Sequence, residues 1–363
     1  MTGYWYFVFA GALGASFVIS ALLTVLVRRL ALRWRFLDLP GERKMHSEPI
    51  PLMGGVAICI AFYLVMLGMF AILQSLGLLE GASISQRFYS DLGEHGMAKL
   101  AGVLAGAFLI FLLGVVDDLK VLSPEVKLVG QIAAAGVLVL SGMRIELFVL
   151  SNVWLSALVT ILWVVTLTNS LNFLDNMDGL AGGVSVIAAF SFFLSVLPHE
   201  QFLVRLVLMV FAGSVAGFLY HNLSPARIFM GDAGAMFCGY ILAAVAILGT
   251  FHVQGTPRVA VAAPLLALSV PLFDICSVVY IRWRNGESIM KGDKRHFSHR
   301  LVDLGMSPRQ AVEFIFLVAA VTGLGAALLS QVSRTGVLII LAQTLGVYLL
   351  IVLLMNGGKN GKR

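Results

Sequence analysis

The chain has 363 residues, 59% of them hydrophobic and 12% charged, with a formal net charge of +6 and a mean hydropathy of +0.95. Soluble domains are about half apolar and a quarter charged, so this composition excludes a soluble globular protein and points to a polytopic membrane protein. The modest positive balance speaks to orientation and anionic substrates and not to nucleic acid.

Eleven helical spans of about 20 residues are predicted, giving an all-α fold. They cover approximately 4–27, 52–75, 98–116, 127–142, 153–171, 179–197, 202–220, 233–251, 259–281, 310–330 and 335–355. The first span has no basic region before it and is followed by Arg28 and Arg29, so it reads as a span and not as a cleaved signal. Gly102 with Gly106 and Gly213 with Gly217 suit close helix packing. Cys59, Cys238 and Cys276 lie in apolar runs without a CxxC pair and read as core packing.

Placing the end of span 1 in the cytosol makes 28–51, 117–127, 172–178, 221–232, 282–309 and 356–363 the inside segments. These hold nineteen of the 25 Lys and Arg residues, so the N-terminus is expected outside and the C-terminus in the cytosol. The acids sort the same way: apart from Glu80, Asp91, Glu94, Glu146 and Glu200, they gather at the cytosolic ends. Solubility does not require that bias, whereas a cytosol-facing polar site produces it. Residues 1–363 read as a single transmembrane domain with its active-site loops on that side.

In segment 28–51, Arg28, Arg29, Arg33 and Arg35 beside Trp34 and Phe36 can lie against anionic headgroups, or simply anchor the span. Arg43, Lys44 and His46 sit between Pro40–Gly41 and Pro49, and cations on rigid turns suit phosphate binding. Span 3 ends in GVVDDLK. Helical neighbours point about 100° apart, so one of Asp117 and Asp118 is expected to face the reaction while the other holds a cation or a supporting partner. Lys127 opens span 4 with Gln131 one turn on, and it either snorkels or sits across the loop from Asp117 and binds phosphate.

The densest polar stretch is 168–183, TNSLNFLDNMDGLAGG. Amides and carboxylates at membrane depth cost several kcal/mol unless paired, hydrated or metal-bound. The plainer alternative is a helix cap and polar loop. Asn172, Asp175 and Asn176 have i, i+3, i+4 spacing and share a face if helical, and their oxygens suit Mg²⁺. Gly231 and Gly234 flank Asp232, which would let backbone approach a ligand closely. Asp274 lies on the order of 10 Å inside span 9, where a structural pairing and a functional role are equally open. In the last long loop, Arg295, His296, His299 and Arg300 cluster beside Asp293. This set suits diphosphate binding better than zinc, since no third His or Cys is near.

In order along almost the whole chain, RKMHSEPIPLMGG, GVVDDLK, NFLDNMDGL, FMGDAGA, PLFD and DKRHFSHRL resemble the polyprenyl-phosphate N-acetylhexosamine-1-phosphate transferases of the glycosyltransferase 4 superfamily. The first and last of these are more similar to the N-acetylglucosamine-1-phosphate branch than to the muramoyl-pentapeptide branch. The resemblance implies a bacterial plasma-membrane enzyme that moves the sugar 1-phosphate from a UDP-N-acetylhexosamine to polyprenyl phosphate, and it suggests a homodimer. It implies Mg²⁺ as cofactor, with Mn²⁺ the alternative, held by Asn172 and Asp232. It implies that Asp117 acts on the lipid phosphate, that Asp118 supports it, that Lys127 holds phosphate, and that Asp175 belongs to the same catalytic group. Asp178 would contact the uracil ring, with Asn176 beside it; Arg295, His296 and His299 would fall near the donor diphosphate. One departure stands out: the branch usually carries His-x-His-His in the last loop, and here Ser298 replaces the middle His of that motif, so the loop is not expected to supply an essential base.

An ion-coupled secondary transporter is the main alternative, because buried Asp, Asn and His also build ion pathways. It would place acids near mid-membrane and show repeat symmetry, and the sequence has neither. An intramembrane aspartyl protease would need Gly-x-Gly-Asp, where Phe229 stands in place of the first glycine.

Overall fold

The computed structural model describes residues 4–38, 48–80, 83–145, 152–198, 201–249, 262–287 and 295–360. In chain order the helices are α1 (Tyr4–Trp34), α2 (Gly54–Glu80), α3 (Ser83–Leu119), α4 (Pro124–Leu140), α5 (Val153–Leu174), α6 (Leu180–Ser195) and α7 (Phe202–Asn222). They continue with α8 (Gly231–Leu248), α9 (Ala263–Ala267), α10 (Ser269–Arg284), α11 (Phe297–Asp303), α12 (Pro308–Leu328) and α13 (Arg334–Asn360). Between α1 and α2, β1 (Leu37–Asp38) pairs antiparallel with β2 (Ile50–Pro51).

Eight of the described helices are long and apolar enough to cross a membrane: α1, α2, α3, α5, α7, α8, α12 and α13. The chain is therefore an all-helical, multi-pass membrane protein, as its composition predicts. The other three predicted spans fall on shorter helices: α4 with 17 residues, α6 with 16, and α9 with α10, which have 5 and 16. The predicted span 259–281 is thus not continuous where it is described. Pro271 has no N–H to return to the carbonyl of Ala267, and the chain breaks at Leu268.

Several predicted loops begin inside helices. α1 runs past Arg28, Arg29 and Arg33 to Trp34, since no breaker intervenes before Arg35, whose φ is +59°. α3 continues through Asp117 and Asp118, and α8 starts at Gly231, so three of the predicted site carboxylates sit in end turns of helices.

α7 and α8 form the centre: 89% and 72% of their spans are buried, against 11% for α13 at the periphery. α1 packs on α7 along a seam of small residues. A Cβ on Gly213 would collide with Ser16 and the Leu13 carbonyl, and one on Gly217 with the Phe17 carbonyl, so only glycine lets the backbones meet. Across that seam the Ser20 hydroxyl donates to the Ser214 carbonyl at 2.5 Å. Cys59 and Cys238 are core residues as predicted; Cys276 is exposed and is not.

Candidate active site

The site forms at one end of the bundle, where the C-termini of α3 and α5 meet the N-termini of α4 and α8. The first backbone N–H groups of a helix have no intrahelical acceptor. At α8 no residue of its own caps them. Asp118 of α3 does so instead, accepting from Asp232 N–H at 2.8 Å and Ala233 N–H at 3.1 Å. Gly231 has φ +73°, and a Cβ there would lie 2.6 Å from the Asp118 carboxylate. Gly234 makes room for Gly55 of α2. The two glycines flanking Asp232 thus make room for the Asp118 carboxylate and for close packing against α2.

Asp117, one residue earlier, is buried and points elsewhere. Its Oδ1 accepts from Leu122 N–H at 2.7 Å, and its Oδ2 is ion-paired with the ammonium of Lys127. Lys127 also reaches Asp232 Oδ2 at 2.9 Å. The two neighbouring aspartates thus point apart as helical geometry requires, Asp117 to Lys127 and the Leu122 N–H and Asp118 to the start of α8. Asn172 completes the centre: its amide donates to Asp232 Oδ1 at 2.8 Å.

One layer deeper, Gln131 and Asn169 exchange amide hydrogen bonds at 2.7 and 3.3 Å. Gln131 is buried, so this pair fixes α4 against α5 one turn from Lys127 and Asn172. Gln131→Leu would leave the Asn169 amide short of a partner in a buried layer. The expected loss is about 1–3 kcal/mol, read as a lower thermal midpoint in detergent together with reduced activity. An unchanged midpoint would mean that the pair holds nothing.

α5 ends at Leu174 with Asp175 as its cap, the Asp175 N–H closing on the Asn172 carbonyl. Asn172, Asp175 and Asn176 therefore do not continue along one helical face, as the spacing predicted. The chain turns instead through Gly179, at φ +75°, into α6. Burial first, and then the negative charges of Asp232, Asp118 and Asp178, push Asp175 up to about 8. Asp178 Oδ2 accepts from Ala226 N–H at 3.0 Å. Buried Asn222, a residue the sequence reading passed over, holds the same turn: it accepts from Gly179 N–H at 3.1 Å and donates to the Ile228 carbonyl at 2.9 Å. An amide closing span 7 just before Ser-Pro was its only signal.

On the far side of this turn lies α11. Buried Ser298 donates to Asn176 Oδ1 at 2.6 Å, so the residue that departs from the usual histidine ties the last loop to the α5–α6 turn. His296 stacks near Phe173, with ring centroids 5.8 Å apart, and its Nδ1 lies 2.8 Å from Asp274 Oδ2. His296 and His299 have ring centroids 6.4 Å apart. Arg295 pairs with Glu287 at 2.6 Å nearer the surface.

Arg43, Lys44, His46 and Asp293 lie outside the described residues. The strands on either side of 39–47 are held against the entrance to α8: Phe229 N–H donates to the Pro51 carbonyl at 2.8 Å, and Gly54 and Gly55 N–H donate to Phe229 and Met230 at 2.9 and 2.8 Å.

Among the described residues, no three His, Cys, Asp or Glu side chains converge closely enough to hold a metal ion by themselves. Mg²⁺ does not ask for that. It takes one or two carboxylates and completes its shell with water and substrate phosphate oxygens. Asp232 and Asn172, already in contact, offer one carboxylate and one amide oxygen. Asp118, Asp175 and Asp178 crowd the same centre, and the charges of Asp232, Asp118 and Asp178 add to the burial that raises Asp175. The donor set and the charge imbalance both fit a hard divalent cation.

Residues 100–250 match the family model described as glycosyl transferase family 4. The chain is 31% identical over 327 residues to a probable undecaprenyl-phosphate N-acetylglucosaminyl 1-phosphate transferase of Bacillus subtilis, covering 87% of this chain and 84% of the relative. It is 33% identical over 336 residues to a decaprenyl-phosphate N-acetylglucosaminephosphotransferase of Mycobacterium leprae, covering 85% and 81%. It is 24% identical over 330 residues to the undecaprenyl-phosphate alpha-N-acetylglucosaminyl 1-phosphate transferase of Escherichia coli O157:H7, covering 84% and 79%. These relatives give no support to a transporter. With its Asp117–Asp118 helix end, its Asn172–Asp232 contact and this similarity along most of its length, the chain belongs to glycosyl transferase family 4, among the polyprenyl-phosphate N-acetylhexosamine-1-phosphate transferases.

Proposed function

We propose that the protein transfers N-acetylglucosamine 1-phosphate from UDP-N-acetylglucosamine to undecaprenyl (polyprenyl) phosphate. An oxygen of the lipid phosphate attacks the sugar-bearing phosphorus of the donor. The bond between the two donor phosphates breaks, and the products are lipid-diphospho-N-acetylglucosamine and UMP. The observation that carries this reading is the Lys127 ammonium held between Asp117 and Asp232, with Asn172 on the far oxygen of Asp232. Phosphoryl transfer needs mainly positioning and charge stabilisation, and this centre supplies both. The lipid phosphate is largely ionised near neutral pH, a monoester's second pKa being about 6. Asp117 therefore orients the nucleophile or takes its last proton. Its two oxygens are engaged by Lys127 and Leu122 N–H, which favours direct attack over an aspartyl-phosphate intermediate.

Asn172 and Asp232 would hold Mg²⁺, or Mn²⁺ in its place, which offsets the charge of the diphosphate and stabilises UMP as it leaves. Asp118 keeps Asp232 in position through the α8 backbone, and Asp175 lies beside Asn172. Asp178 and Asn176 face the nucleoside side of the donor. Arg295, His296 and His299, with Arg43, Lys44 and His46, gather the anionic groups of the two substrates. The sidedness of Lys and Arg supports eleven crossings with the N-terminus outside, and a catalytic end facing the cytosol of a bacterial plasma membrane. The reaction is the first membrane step of cell-wall or surface polysaccharide synthesis, and the enzyme works as a homodimer.

The test is a membrane assay with radiolabelled UDP-N-acetylglucosamine and undecaprenyl phosphate. Label moves into the lipid phase with release of UMP, a chelator stops it, and added Mg²⁺ restores it. Asp117→Asn abolishes transfer in folded protein. Failure to label lipid with this donor, or full turnover of the Asp117→Asn variant, would overturn the assignment.

A further inference from the structure

PLFD and the last histidine loop are separate motifs in the sequence, and the structure joins them. Asp274 is buried within α10 and is 1% exposed; His296 is 7% exposed. Asp274 Oδ2 meets His296 Nδ1 at 2.8 Å, and Oδ1 accepts the Phe297 N–H at 2.6 Å. The carboxylate thus grips two consecutive residues of the loop at once, one through its ring and one through its backbone. A carboxylate has no proton to give, so the shared proton sits on the histidine as Nδ1–H. That fixes the ring plane and leaves Nε2 as the nitrogen available to a ligand. The ring stands beside Phe173, the residue after Asn172, and Ser298 two positions on bonds to Asn176. His296 is therefore set against the α5 terminus that bears the metal-site amide.

We infer that Asp274 is a positioning residue for the transfer reaction, acting through His296. It fixes which nitrogen His296 presents to the donor diphosphate, and it supplies the counter-charge when that nitrogen donates to a phosphate oxygen. The inference rests on the functional reading above. An imidazole with Nδ1–H can donate from Nε2 only as the imidazolium, and a buried imidazolium needs a carboxylate behind it. Asp274 also lies near the half-buried guanidinium of Arg300, whose Nη2 donates to Ser277 Oγ at 2.5 Å. A purely structural role for Asp274 would run through Arg300 and the Phe297 backbone, not through the ring.

The two roles separate in a mutant cycle on the full-length enzyme in detergent, using UDP-N-acetylglucosamine as the varied substrate. Asp274→Asn can still accept from Phe297 N–H, but its NH₂ group then faces His296 and reverses the tautomer. The neutral ring keeps an Nε2–H and loses its charge. The expected result is a rise of about tenfold in KM for the donor with a smaller change in kcat, the size of a charge-assisted hydrogen bond reduced to a neutral one. His296→Gln should give a similar rise. In the His296→Gln background, Asp274→Asn should add nothing further, although it still perturbs Arg300. Asp274→Glu, which keeps the charge, should recover part of the affinity. Equal effects of Asp274→Asn with and without His296 would overturn the inference, as would an unchanged KM in both single variants. Should Asp274→Asn fail to fold, His296→Gln with wild-type donor KM would overturn it alone. A wild-type enzyme that transfers no label would instead count against the proposed function, so the two failures are distinguishable.

Discussion

Lys127→Met is expected to lower turnover by about 10²- to 10³-fold, the usual cost of removing one preorganised charge from a centre that stabilises developing negative charge. The reason is geometric. The ammonium joins Asp117 and Asp232, the residues proposed above for nucleophile and metal, so on that reading its loss separates the two halves of the reaction. It also leaves buried Asp117 without its counter-charge. Breaking a fully buried pair costs about 3–5 kcal/mol, and the 24% exposure of the Lys127 side chain keeps the loss below that. The stability and catalytic parts can be separated. Adding Asp117→Asn to Lys127→Met removes the unpaired charge and should restore the thermal midpoint, while turnover stays low. Lys127→Arg keeps the charge, but its planar fork cannot occupy the point between two carboxylates in the same way, and partial activity is expected. Steady-state rates and detergent melting curves on the four proteins decide the matter. Wild-type turnover in Lys127→Met would show that the lysine only screens its neighbours.

How much of this was legible beforehand follows from the kind of contact involved. The hydropathy of the chain announced its helices, and the one-sided acids announced a polar end. Helical geometry alone sets Asp117 and Asp118 pointing apart, and their side chains make different contacts. Contacts between segments distant in sequence were out of reach of local pattern, and Asn172 with Asp232 came together only through the family resemblance. Asp274 with His296, Ser298 with Asn176, and Asn222 with Gly179 each join residues that no local pattern relates. Helix ends also misled. Loop boundaries drawn from polarity fell inside α1, α3 and α8, because a polar residue in an end turn keeps its helical hydrogen bonds while its side chain reaches the site. The break at Leu268 was readable from Pro271 but was masked by the apolar run around it. Ser298 brings no charge but can hydrogen-bond, and it forms a buried cross-link to Asn176.

The second large effect is expected from a residue with no side chain. Gly231→Ala should lower the melting midpoint and reduce transfer by about 10²-fold, the cost of misplacing a reacting group by roughly 1 Å. Two terms add. The backbone there has φ +73°, and a left-handed alanine costs about 1–2 kcal/mol. The new Cβ would also lie 2.6 and 2.9 Å from the two oxygens of Asp118. Asp118 must then swing away and release the Asp232 and Ala233 N–H groups, at about 1–3 kcal/mol for each donor left unpaired. Native domains have only about 5–15 kcal/mol in hand, so the protein should survive in weakened form. Asp232 begins the helix that Asp118 caps, and its carboxylate meets both Lys127 and Asn172. Loosening the cap therefore moves the Asp232 carboxylate itself. Asp118→Ala should give the same catalytic defect without the backbone strain. Combining the two should cost little more activity than Asp118→Ala alone, because with the carboxylate gone the alanine methyl group has room. Additive losses in the double variant would show that Gly231 acts independently of Asp118, and the coupling between the ends of α3 and α8 would have to be abandoned.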